Sequence, residues 1–192
     1  PMMGFLDAKH EQIRRGIRIQ DLTEEQGDRI YAMGELVSYC RAKVERGQKD
    51  TLSYRPEKEL STRLSESFLR FLAFTAVTLS PSSQKEIKIT KTAFAILTKV
   101  VRDTAYGFTY DIVQVLYKHD KKRLDDPEGM DRDGIAVKIG LSSSQTWNIL
   151  QDLKELGIIT SLAVSNPHGK GRKAHYYVLT SHILGICRQV LG

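Results

Sequence analysis

The stretch from Arg132 to Thr180 leaves this chain the fewest choices of fold. "RDGIAVKIGLSSSQTWNILQDLKELGIITSLAV" reads as a short helix ending at Gly140, a tight turn, and a second helix opened by Ser142 or Ser143, whose hydroxyl can cap free backbone N–H groups. Gly157 stops that helix. The β-branched run Ile158-Ile159-Thr160 then starts a strand, because branching at Cβ suits a pleated surface. The turn-rich "SNPHGKGRK" follows, and "AHYYVLT" returns as a strand, which gives a hairpin. In the second helix Thr146, Ile149, Leu150, Leu153 and Leu156 share one face and must pack on the preceding helices. Ser144, Trp147, Asn148, Gln151 and Glu155 occupy the opposite face.

Helical signals dominate the first hundred residues. Thr23 and Gln26 have capping-box spacing, and Ile30, Met33, Leu36, Val37, Cys40 and Val44 recur at three and four residues, predicting a helix over 24–46 that ends near Gly47. Leu60, Leu64, Phe68, Leu72 and Val77 predict a second helix, closed by Pro81 and apolar over enough of its circumference to be central. "PSSQKEIKITK" reads as a turn with an extended piece. Helices follow in "TKTAFAILTKVVRDTAYG", with Gly107 as a boundary, and in "FTYDIVQVLYKH", and a charged connector "DKKRLDDPEGMDRD" leads on. The expectation is a mainly α protein: a helical bundle over 1–105, then a helix-turn-helix with a β-hairpin over 106–192.

Composition narrows the function. No run of eighteen apolar residues occurs, and the longest candidate, "FLRFLAFTAVTL", is broken by Arg70, so no membrane span is expected. The start lacks a charged-then-apolar signal pattern, which predicts a cytoplasmic or nucleoid-associated protein. Cys40 and Cys187 have neither a CxxC partner nor a nearby His pair and read as reduced, structural thiols. The five His residues form no HExxH, and Asp125, Asp126, Glu128, Asp131 and Asp133 lack calcium-loop spacing. No metal, cofactor or catalytic constellation is expected. The formal charge is +6, and no Asp or Glu follows Glu155 while Lys170, Arg172, Lys173 and Arg188 do, so the basic excess gathers near the C-terminus.

"GLSSSQTWNILQDLKELGII" resembles the turn, recognition helix and strand start of the winged-helix family. The resemblance implies a DNA-binding surface on the outer face of that helix, where Ser143, Ser144, Gln145, Trp147, Asn148 and Gln151 would meet base edges in the major groove. Packing against a neighbouring helix is the competing role for Trp147. This face carries no Lys or Arg, so phosphate attraction must come from elsewhere. Lys170, Arg172 and Lys173, with His175 at the start of the returning strand, sit on the wing and suit backbone phosphates. A nucleotide loop is the wrong reading of Gly169-Lys170-Gly171: no Ser or Thr follows the lysine, and a strand rather than a helix comes next. Many winged helices bind proteins instead of DNA.

A second resemblance covers residues 20 to 192. "RPEKELSTRLSESFLRFLAFTAV" with "IKITKTAFAILTKVV" is similar to the helical lid that precedes a winged helix in AAA+ ATPases of the minichromosome-maintenance type and of related mobile elements. It implies that Arg63 stands at the sensor-2 position, touching the γ-phosphate of ATP, and that the partner is DNA together with a AAA+ motor or further copies of the chain. This chain has no Walker A, no Walker B and no ATPase core, so the resemblance implies a C-terminal piece of such a machine or a descendant without the motor. The alternatives are a free-standing dimeric winged-helix transcriptional regulator, its recognition helices spaced about one turn of DNA apart, and a protein-interaction winged helix that does not bind DNA. Against the role of Arg63 stands an ordinary surface charge paired with Glu59 or Glu66.

Overall fold

A computed structural model describes residues 2–14, 16–44, 60–120, 128–164 and 174–192. Its elements run α1 (Met2–Arg14), β1 (Arg18–Ile19), α2 (Glu24–Arg41), α3 (Ser61–Leu79), β2 (Glu86–Ile87), α4 (Lys91–Thr104), α5 (Phe108–Asp120), β3 (Met130–Asp131), α6 (Arg132–Ile139), α7 (Ser143–Glu155), β4 (Ile159–Val164), β5 (Ala174–Leu179) and α8 (Ser181–Leu191). The protein is mainly helical, with two small sheets among the described residues.

Local rules account for most helix limits. The Thr23 hydroxyl accepts from the Gln26 N–H while the Gln26 side chain accepts from the Thr23 N–H, so both halves of the expected capping box form. α2 stops earlier than its apolar spacing suggested, because Ala42 turns extended at φ −62°, ψ 140° and breaks the hydrogen-bond ladder. Gly47 lies outside the described residues. Gly140, at φ 71°, closes α6 in the left-handed conformation that a side chain resists.

α2 and α3 cross closely at Gly34. A Cβ there would lie 2.2 Å from Ser65 Oγ and 2.7 Å from the Ser61 carbonyl oxygen, so only glycine permits this approach. α3 then hands its C-terminal carbonyls to α1. Lys9 Nζ donates to the Val77 carbonyl at 2.8 Å and also to that of Ser80, placing a cation at the negative end of the helix. Gln12 Nε2 donates to the Pro81 and Gln84 carbonyls and pins the loop beyond. That loop ends in β2, which pairs in parallel with β1 and buries Ile87 together with Ala76 and Val77 of α3. None of this long-range arrangement was anticipated beyond the extended piece.

The main core passes from Met33, Leu36, Leu72 and Leu97 to Ile112, Leu116, Leu150 and Ile183 without interruption, so it spans the expected boundary at residue 105. α8 supplies much of the continuity. Its Ile183, Ile186, Cys187 and Val190 are buried, and His182 meets Glu35 of α2 at 3.5 Å and the Tyr39 ring edge-on at 5.9 Å. The second sheet has the order β3-β5-β4, all antiparallel, with Met130 opposite Tyr177 and Ile159 opposite Leu179. Buried Asp120 holds the entry to β3: its carboxylate accepts from the Gly129 N–H at 3.3 Å, and Gly129 (φ 73°) leaves no room for a Cβ beside the Tyr177 carbonyl.

Candidate nucleic-acid interface

α6, the turn and α7 form one unit built from two successive caps. The Asp131 carboxylate accepts from the Gly134 N–H and starts α6. After Gly140 and Leu141, Ser142 caps α7 from an extended backbone (φ −70°, ψ 152°). Its hydroxyl accepts from the Gln145 N–H, and Gln145 Oε1 accepts in return from the Ser142 N–H at 3.3 Å. Of the two serines the sequence offered as cap, Ser142 takes the role.

α7 is seated by Thr146, Leu150 and Leu153, which are buried, with Ile149 and Leu156 partly buried beside them. Burying each leucine stabilises the seat by about 2 kcal/mol. The Thr146 hydroxyl is buried with no hydrogen-bond partner among the described residues. The opposite face leaves Ser144, Asn148 and Glu155 exposed, Trp147 exposed by 43% of its surface and Gln151 half-buried. Trp147 thus presents much of its indole outward.

Two of the anticipated base-facing residues already hold local bonds. The Ser143 hydroxyl donates to Asp133 Oδ1 at 2.5 Å, and Gln145 is engaged in the capping box. Asp133 also accepts from Arg132 Nε at 3.0 Å, and the Ser143 hydroxyl, followed by Arg132, holds its carboxyl below the usual carboxylate range. His175 is exposed on β5, opposite Ala163. Lys170, Arg172 and Lys173 lie outside the described residues, between β4 and β5. Arg63 is exposed on α3 and makes no ion pair among the described residues; Glu66, offered as its partner, instead meets Arg70 at 3.8 Å.

One group near this surface was not singled out from sequence. Lys138, exposed in the last turn of α6, stands just before the turn into α7, and Val137 beside it is 82% exposed. The clue in "AVKIG" was the lysine two residues before the helix-ending glycine. The arrangement therefore offers hydroxyl, amide and indole groups from α7 and one ammonium from α6. It can make directional hydrogen bonds, and its electrostatic attraction must be supplied largely by neighbouring segments.

Elsewhere, no group of three metal-ligating side chains is present among the described residues, and no helix among them is long and apolar enough to cross a membrane. Compared with known proteins, the chain matches no family model, no curated protein and no solved structure.

Proposed function

We propose that this protein binds duplex DNA without catalysis, as a winged-helix module. The observation that carries the reading is the division of α7: its packing face is buried through Thr146, Leu150 and Leu153, while Ser144, Trp147 and Asn148 stay exposed in its N-terminal half. The order α5, β3, α6, α7, β4, β5, with β5 paired between β3 and β4, supports a winged helix, and Lys170, Arg172 and Lys173 fall in the sequence between β4 and β5. In this reading these three residues contact phosphates and α7 meets the groove. The setting we propose is the C-terminal part of a replication or mobile-element ATPase, with Arg63 as the residue that would answer to nucleotide in a neighbouring motor.

Fluorescence anisotropy with a labelled duplex, repeated across salt concentrations, tests the DNA reading. Three phosphate contacts predict a slope of log K against log salt near about −2.7. Reversing the charge at Lys170, Arg172 and Lys173 should weaken binding more than Asn148→Ala or Gln151→Ala. The opposite ranking would move the source of affinity to α7. Absence of binding even at low salt would leave a protein partner as the occupant of this surface.

A further inference from the structure

A cleft of about 610 Å³ opens between the N-terminal halves of α2 and α4, with Gln26, Arg29, Ile89, Lys91, Phe94 and Thr98 among its walls. It belongs to different elements from α7 and the hairpin. Arg29 lines the cleft, and its Nε is buried with no hydrogen-bond acceptor among the described residues. A guanidinium N–H taken out of water without an acceptor is unfavourable, so an anion brought to this side chain by the cleft would offset part of that cost. Its guanidinium carbon stands 5.8 Å from the centroid of the Phe94 ring, and no carboxylate pairs with it among the described residues.

Lys91 adds a second cation at the first position of α4. That helix has no acidic residue in its first turn, its Thr90 cap serves the Ala93 N–H, and the opening amide groups and the helix dipole leave a positive end at the cleft. Among the described residues on the walls, Glu25 is the one carboxylate, against the two cations. Ile89 and the Phe94 ring supply an apolar wall, and the volume lies in the range of small-molecule sites.

We propose that this cleft binds a small phosphomonoester carrying an apolar or aromatic body. The phosphate sits on Arg29, Lys91 and the start of α4, and the body rests against Phe94 and Ile89. A phosphomonoester matches this charge better than a carboxylate because it approaches two negative charges and offers three strong acceptors.

Titration of the isotopically labelled full chain with phenyl phosphate at constant ionic strength, followed by amide NMR, tests the site. Saturable shifts are expected at Gln26, Arg29, Lys91 and Phe94. Arg29→Gln should weaken binding by about tenfold or more and Lys91→Gln by about threefold or more, as loss of charge-assisted bonds requires. Lys91 is exposed, so its variant keeps the test available if Arg29→Gln does not fold. Benzoate and inorganic phosphate should each bind more weakly than phenyl phosphate. No saturable shift up to about 10 mM, unchanged affinity in both folded variants, or equal affinity for benzoate or for inorganic phosphate would overturn the proposal.

Discussion

The hydroxyl of Ser143 donates to the carboxylate of Asp133 across 2.5 Å, tying the first residue of α7 to the first turn of α6. The bond links the two helices at the end where α7 is exposed. It also gives that junction a dependence on acid.

Because the folded-state carboxyl of Asp133 titrates below its ordinary range, its ionised form favours the folded state. That contribution is present above the unfolded carboxyl value of about 4 and is lost as pH falls through the lower folded value. Carboxyl NMR should show the titration of Asp133 move upward in Ser143→Ala. No upward movement would mean that the hydroxyl is not what holds the carboxylate.

Thr146 brings a hydroxyl into the core of α7 without a partner among the described residues. Thr146→Val removes an unsatisfied group while retaining the branched shape. Urea unfolding should show a gain of about 1 kcal/mol, since a buried unpaired hydroxyl opposes folding by at least that amount. A loss of stability would indicate that the hydroxyl is satisfied in solution.

Cys40 on α2 and Cys187 on α8 are both buried free thiols, each pushed up to about 12. Burial dominates in both; for Cys40 the neighbouring Cys187 and then Asp111 add to it. Neither thiol forms the reactive thiolate near neutral pH, so a thiol reagent should label the native protein only as fast as it opens. Their stabilising effect is complete below the unfolded thiol value of about 8.5 and fades as pH rises toward 12. Unfolding midpoints measured from pH 8 upward should therefore fall less steeply in a Cys40→Ala, Cys187→Ala double variant than in the parent.

Gly34 permits the α2 and α3 crossing. Alanine would improve helix propensity by about 1 kcal/mol, but its Cβ would meet the Ser61 carbonyl at 2.7 Å, and backbone cannot swing aside as a side chain can. Gly34→Ala should therefore show a net loss of about 1–2 kcal/mol in urea unfolding. Adding Ser65→Ala should recover only part of it, because the carbonyl contact remains.

How much of this was legible in the sequence follows from the range of the forces involved. The Thr23 and Gln26 box, the halt at Gly140, the Ser142 cap and the paired strands around the hairpin could all be read from neighbours a few residues apart. α8 was not anticipated, although Ile183, Ile186, Cys187 and Val190 repeat at helical spacing; the Thr180 before it makes no side-chain cap, so its start carries no capping signal. Among the site residues, the exposure of Ser144 and Asn148 was anticipated, that of Trp147 stood open against packing on a neighbouring helix, and the local bonds of Ser143 and Gln145 were not anticipated.

Sequence by itself determined the helices from α2 to α7 and which face of α7 turns inward, since periodicity, caps and glycine stops act within one or two turns. Tertiary structure alone decided that Lys9 caps α3 across more than sixty residues, that β2 pairs with β1, that β5 lies between β3 and β4, and that Arg29 is brought over Phe94. Those contacts join positions whose separation along the chain carries no periodic signal. They exist because burying the shared core brings the elements together, and each polar group then takes the partner, or the empty cleft, that it finds there.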